Sequence, residues 1–397
     1  MTTKSLMILG RQPALGIAEV ESLLGAAGVM PLGASAVLSE VVTNDVPFAR
    51  MGSIVKLAEY LGVIETSDLR SAQRQLNAFA LGCAQTIDEG KIQLGVSAYG
   101  VGGSSQQLMA VGLNLKKTLR QHGYSARLVP NVAGSEELSS AQVLHNHLTG
   151  ERGVELLVVK DGTKLHVGRT VAVQDINAYA ARDQGRPKRD ARVGMLPPKL
   201  AQTIVNLAVS EASSGVVLDP FCGTGVVLQE ASLMGFAVYG SDLEQRMIDF
   251  TSQNLEWLAT NFTLPTPRND LRLEVGDATT HQWKPAPDFV ACETYLGQPL
   301  SSWPTPEKLR QIIGTCNVII EKFLKNIATQ LPKGARLCLA VPAWRSPNGQ
   351  LHHLSLLDHL EQMGYNRVSF EHVRTQDLVY FRPDQLVARE LLVIIKE

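Results

Sequence analysis

Paired cysteines are missing from this chain. Cys83, Cys222, Cys292, Cys316 and Cys338 form no CxxC pair, and their number is odd. That excludes a CxxC zinc site and a disulfide framework, and reads as a reduced, cytoplasmic protein without structural zinc. No apolar run reaches the ~20 residues that cross a bilayer. Met1 to Gly10 carries one lysine and only a short apolar stretch, so neither a membrane association nor a secretory signal is expected. An excess of one charge is missing as well: the formal net charge is −1, which leaves no strongly basic domain for a polyanion. Two phosphate-binding signatures, GxGxxG and GxxxxGK[ST], are also absent.

What remains is a globular balance over 397 residues, 45% apolar and 19% charged. At about 150 residues per domain, the length suggests two to three domains. The charge is unevenly spread. The stretch from Arg182 to Lys199 holds six basic residues (Arg182, Arg186, Lys188, Arg189, Arg192 and Lys199) against two acids, while residues 1–181 are neutral. Broken by Gly185, Pro187, Gly194, Pro197 and Pro198, residues 176–198 read as a basic linker.

Before that linker, short strands and helices alternate. Leu6–Leu9 is an apolar run, and Ile17, Val20, Leu23 and Leu24 follow at helical spacing. Ile92, Leu94, Val96 and Ala98 alternate as in a half-buried strand. Leu108, Val111, Leu115 and Leu119 make a helical stripe, and strand-like stretches follow at Ala126–Val129, Val154–Lys160 and Lys164–Val173. This is an α+β pattern, divided into two subdomains near residue 80. After a helix from Lys199 to Ala212, the chain repeats strand, glycine- or aspartate-bearing turn, helix. That is the order of an α/β, Rossmann-like doubly wound parallel sheet.

The most informative stretch is Val216-Val217-Leu218-Asp219-Pro220-Phe221-Cys222-Gly223-Thr224-Gly225. It is an apolar strand that enters a glycine turn and then a helix. Gly223 and Gly225 permit a backbone path that a Cβ would block, and allow a ligand close to the main chain. The next strand, Phe236–Gly240, ends at Ser241-Asp242, where a carboxylate suits a ribose diol. A third, Leu271–Val275, ends at Gly276-Asp277-Ala278, where an acid can accept from an adenine amino group. Small and acidic residues thus close three successive strands at their carboxyl ends, the place where open α/β sheets bind ligands. A dinucleotide site and S-adenosylmethionine both fit such a turn, and the missing GxGxxG spacing favours the latter.

Asp219-Pro220-Phe221-Cys222-Gly223-Thr224-Gly225 looks like the first motif of amino-group methyltransferases acting on RNA. More narrowly, the chain resembles the THUMP-domain tRNA guanine-N2 methyltransferases. The resemblance rests also on Val173-Gln174-Asp175, Arg182-Asp183, Gly185-Arg186-Pro187, Gly194-Met195-Leu196-Pro197-Pro198-Lys199-Leu200-Ala201, Arg382-Pro383 and Arg389-Glu390. It is strong over residues 170–245 and weaker over 1–170. It implies a ferredoxin-like α+β subdomain at 1–80, a THUMP-like RNA-binding subdomain at 81–175 and a seven-stranded class I methyltransferase domain at 199–397. It further implies S-adenosylmethionine as cofactor, held by Asp219, Pro220, Gly223, Gly225, Asp242, Leu243, Asp277 and Ala278. The implied partner is tRNA, met by Arg182, Arg186, Lys188, Arg189 and Arg382; a small activating protein partner is left open.

In that family a fourth strand ends in Asp- or Asn-Pro-Pro-Tyr, where two acceptors orient an exocyclic amine and the ring stacks on an extruded base. The matching stretch here is Cys292-Glu293-Thr294-Tyr295. Glu293 keeps an acceptor one methylene farther out, Thr294 keeps a carbonyl but lacks proline's fixed φ, and Tyr295 keeps a stacking face. These three are the expected catalytic residues. The readings set against this are a DNA or ribosomal RNA amino-methyltransferase, and an RNA-binding protein that has the cofactor fold without the chemistry. Cys292 as a nucleophile finds no supporting motif; it is expected to point into the sheet, with Cys222 as a small apolar filler. His352, His353 and His359 show no metal-ligand spacing. Trp303 lies in the loop after the corner, as either a pocket wall or a packing residue.

Overall fold

The computed structural model describes residues 4–102, 104–190, 196–265 and 271–397. Arg192, Gly194 and Met195 lie outside the described residues. The chain divides into two compact units, Met1–Val20 with Leu24–Ala49 and Ser53–Asn177, and Glu21–Leu23 with Arg50–Gly52 and Ala178–Glu397.

In the first unit the chain order is β1 (Lys4–Leu9), α1 (Pro13–Leu24), β2 (Val29–Leu32), β3 (Ala36–Val42), β4 (Ile54–Ile64), α2 (Leu69–Ala84), β5 (Ile92–Tyr99), α3 (Ser105–Gln121), β6 (Ala126–Leu128), α4 (Ser140–His145), β7 (Gly153–Asp161) and β8 (Lys164–Val173). The strands form one sheet in the order β2-β3-β1-β4-β8-β7-β5-β6. Helix starts follow local chemistry. The Asp68 carboxylate accepts from the Ser71 N–H at α2, and Ser104 with Gln107 and Ser139 with Gln142 make reciprocal caps at α3 and α4. The border expected at residue 80 falls inside α2. Leu76, Ala80 and Cys83 of α2 share one core with Leu108, Val111 and Leu115 of α3 and with Leu94, Val96, Leu156 and Val158 of the sheet. Burying that continuous apolar face outweighs any division there.

In the second unit α5 (Ile176–Ala180) runs into a π-helical turn, Ala181–Gly185. There follow α6 (Pro198–Val209), β9 (Val216–Asp219), α7 (Val226–Leu233), β10 (Ala237–Asp242), α8 (Gln245–Asn261), β11 (Leu271–Val275), β12 (Phe289–Glu293), α9 (Pro306–Ala328), β13 (Arg336–Arg345), β14 (Leu351–His352), β15 (Tyr365–Arg367), β16 (Val379–Tyr380) and β17 (Val387–Lys396). Seven strands lie in the order β11-β10-β9-β12-β13-β17-β15, with β14 beside β13 and β16 beside β17. β11, β10, β9, β12 and β13 are parallel, and β17 runs antiparallel to β13. The doubly wound sheet expected after residue 199 is present. Chain order reverses between β9 and β12, so their carboxyl ends open on one crevice. The long helix α9 starts at the Thr305 cap with Pro306 at its first position. Its Leu309, Ile312, Cys316, Ile320, Phe323 and Ile327 recur at helical spacing and pack against Leu337, Leu339 and Val341 of β13. Each such side chain contributes about 1.5–3 kcal/mol by leaving water.

Candidate active site

The glycine turn after β9 is held from three sides. Gly223 and Gly225 take positive φ, +50° and +81°. A Cβ on Gly225 would stand 2.8 Å from Thr251, whereas one on Gly223 would meet nothing nearer than 3.9 Å. The turn therefore presents open space beside Gly223. One Asp242 oxygen accepts from the Gly223 N–H at 2.9 Å, and the other accepts from the Glu244 N–H at 3.1 Å. The Thr251 hydroxyl donates to the Gly223 carbonyl and the Asn254 amide to the Thr224 carbonyl, both at 2.8 Å. Asn254 also bonds both backbone groups of Lys188 at 2.9 Å, so one side chain ties the basic stretch to the turn. Thr251 and Asn254 went unnoticed in the sequence. Their signal is a pair of polar residues three apart, on one face of the helix that follows Asp242.

Of the acids at the strand ends, Asp242 and Glu293 lie near Asp219. Asp219 is buried beside Pro220, its Oδ1 accepting from the Phe221 N–H at 3.1 Å. Burial pushes its carboxyl well above the usual range, and Asp242 and Glu293 push it further. Burial likewise raises Asp242. Asp277 is exposed, and the N–H and hydroxyl of Thr279 on its Oδ1 hold its carboxyl below the usual range. Leu243, beside Asp242, is 70% exposed. Ala278 is buried, and its carbonyl accepts from Asn326. The set offers the carboxylates of Asp242 and Asp277, the exposed Leu243 and open space beside Gly223. That donor set fits a nucleoside carrying an amino-acid chain, such as S-adenosylmethionine.

Glu293 and Thr294 end β12 next to this crevice. Thr294 is buried, and its N–H and hydroxyl both donate to the Ala340 carbonyl, at 3.1 and 3.3 Å. Tyr295 is 37% exposed. Glu293 Oε1 accepts from Arg389 Nε at 2.9 Å. Burial raises the Glu293 carboxyl, and the Arg389 guanidinium pulls it back. Arg389, known from sequence only as part of a strand pair, is thus bonded to a candidate site residue. Its signal is a charged Arg-Glu pair inside an apolar strand. Cys292 is fully buried and its thiol is pushed well up by burial, which closes it to substrate, and Cys222 is buried as well. Trp303 packs partly into the core and lies 5.7 Å from the His352 ring, and His353 Nδ1 pairs with Glu390. Among the described residues no three His, Cys, Asp or Glu side chains gather as a metal site.

The basic stretch requires a correction. Arg182 and Arg186 do not face solvent. Arg182 Nε donates to buried Glu230 at 2.7 Å, and its guanidinium lies over the rings of Tyr179 and Phe262. Arg186 is 3% exposed and lies near Glu230. Arg182 is held inward by its charged hydrogen bond to Glu230, and Asp183 and Glu230 are the opposite charges near Arg186. Arg189 is exposed, Lys188 is half-buried with its ammonium 5.4 Å from the Phe250 ring, and Arg382 is half-buried, donating to the Tyr380 hydroxyl.

Strand order and glycine turn together define the methyltransferase class of α/β fold. Residues 186–263 match the family described as UPF0020, RMKL-like, methyltransferase domain. Among individual proteins, the chain is similar to the tRNA (guanine(10)-N2)-dimethyltransferase of Methanothermobacter thermautotrophicus, with 32% identity over 38% of this chain and 39% of that protein. The enzyme of that name from Methanocaldococcus jannaschii is 52% identical over 20% of this chain and 22% of its own. The matched stretch spans half or less of these relatives' length. Solved structures match over the whole chain. TrmN from Thermus thermophilus aligns with TM-score 0.54 and 17% identity, covering 99% of this chain and 100% of that one. SMU.472, complexed with SAH, aligns with TM-score 0.51 and 10% identity over 100% and 99%. At these identities the likeness is one of fold.

Proposed function

We propose that this protein methylates an exocyclic amino group in RNA, guanine N2 of tRNA, with S-adenosylmethionine as donor. The observation that carries the reading is the carboxylate of Glu293, held at the end of β12 beside the glycine turn that Asp242 pins. Relatives named tRNA (guanine(10)-N2)-dimethyltransferase support the substrate.

The backbone of Gly223 and Gly225 with Asp219 and Pro220 would hold the methionine moiety, Asp242 and Leu243 the ribose, and Asp277 and Ala278 the adenine. S-adenosylmethionine bound there supplies an electrophilic methyl group. Glu293 accepts one N–H of the target amine and the Thr294 carbonyl the other, which turns the nitrogen lone pair toward the methyl. Tyr295 covers the face of the extruded base. Fixing both reactants in line removes most of the entropic cost of the encounter. The proton left on the nitrogen passes to Glu293 or to water. Lys188, Arg189 and Arg382 are the candidate phosphate contacts of the second unit, and the first unit is a candidate THUMP-like grip on tRNA.

The test is transfer of labelled methyl from S-adenosylmethionine to tRNA, ribosomal RNA and DNA in parallel, followed by nucleoside digestion. Label in N2-methylated guanosine from tRNA is expected. Label in another base or polymer, or none despite cofactor binding, overturns the reading.

A further inference from the structure

Arg389 reaches Glu293 across an intervening strand. Glu293 stands opposite Ala340 of β13, and Arg389 opposite Pro342 of the same strand. Residues two apart share a sheet face, so Glu293, Ala340, Pro342 and Arg389 lie on one side. The two β13 side chains between the charges are small. Glu390, next in sequence, turns to the other face and meets His353 instead. Arg389 is itself tethered, its Nη1 donating to Gln385 Oε1 at 3.1 Å. Glu293 Oε1 thus has one lone pair engaged by a fixed cation, with the second lone pair and both of Oε2 left. The other titratable groups around Glu293 are Asp219 of β9, with Asp242 of β10 behind it, and Cys292 of its own strand. Burial favours the protonated form of Glu293, and Arg389 is the group that opposes it.

We infer that Arg389 is a positioning residue that keeps Glu293 an acceptor-only carboxylate, and that this makes the site selective for an amino group flanked by a ring N–H over one flanked by a bare ring nitrogen. Guanine presents N2–H beside N1–H, two adjacent donors that one carboxylate can accept together. Adenine and cytosine present an amine beside a ring acceptor, which a carboxylate repels. A glutamine at this place could offer its NH2 to that acceptor and would discriminate less. This inference rests on the proposed function and names how its site chooses a base.

Two measurements on the full chain test it. The first titrates Glu293 by NMR with carboxyl-13C glutamate, the signal assigned by its loss in Glu293→Gln. Arg389→Met raises the midpoint by about 1–3 pH units, and Arg389→Lys restores most of it. The second follows labelled methyl into unmodified tRNA transcripts and compares the label in guanosine with that in adenosine and cytidine. Glu293→Gln narrows the guanosine preference by about 100-fold, and Arg389→Met narrows it at low pH, where its Glu293 is protonated. An unchanged midpoint in Arg389→Met, with transfer intact, overturns the role of Arg389. An unchanged base ratio in Glu293→Gln overturns the selectivity. A wild-type chain that binds the cofactor and transfers nothing overturns the function on which both rest.

Discussion

Two of the second unit's arginine–glutamate pairs are built from the same atoms and set in different surroundings. Arg182 Nε meets Glu230 Oε1 at 2.7 Å beneath α7, where the Glu230 side chain is 1% exposed and rings cover the guanidinium. Arg389 Nε meets Glu293 Oε1 at 2.9 Å at the edge of the crevice, where the Glu293 side chain is 16% exposed. Burial pushes Glu230 up to about 7 despite Arg182. The first pair is sealed and fastens the basic stretch to the helix that follows the glycine turn. The second leaves the acid partly open to solvent. Geometry between partners does not separate a structural pair from a site pair; access on the far side of the acid does.

The largest effect that tests this contrast is expected at the sealed pair. Arg182→Ala leaves a buried, unpaired acid and costs about 3–5 kcal/mol of stability, a fall in Tm of roughly 10 °C or more by calorimetry. Its affinity for tRNA, measured below the unfolding range, stays within about twofold. A tenfold loss would instead restore Arg182 as an RNA contact. Next comes Asp242→Ala, which removes both the acceptor for the Gly223 N–H and the carboxylate offered to the ribose. Cofactor affinity by titration calorimetry falls about 10- to 100-fold, from the loss of charged hydrogen bonds worth about 1.5–3 kcal/mol. The smallest is a pH effect. Because the folded Glu230 binds its proton more tightly than the unfolded chain does, its contribution to stability is full below about 4.5 and is lost as pH rises through about 7. Glu230→Gln therefore flattens the fall in Tm between pH 6 and 8, a difference on the order of 1–2 kcal/mol. An equal slope in both proteins would mean that Glu230 is already ionised.

Sequence reading reached the parts of the site that are local. Asp219 to Gly225 is one strand, one turn and one helix start, and its glycines announce the positive φ that the turn takes. Asp242 and Asp277 stood out as candidates because each lies at the carboxyl end of a short strand. Arg389 was not, because it meets Glu293 through the order β12-β13-β17, which brings together residues 96 apart. Arg182 and Arg186 misled for a related reason. A run of charges in a proline-broken stretch ordinarily faces water, and nothing nearby in sequence reveals Glu230 waiting 48 residues on. The border expected at residue 80 falls inside α2, whose stripe gives no sign in sequence that its partners include β5 and α3.

In the proposed function, the end of β12 carries the chemistry while the glycine turn carries the cofactor. The most direct measurement is single-turnover methyl transfer to tRNA by the wild type and by Glu293→Ala, with the cofactor Kd determined on the same preparations. The account predicts a transfer rate lower by about 100-fold or more and a Kd within about twofold. An unchanged rate, or a rate that falls only as the Kd rises, would contradict it.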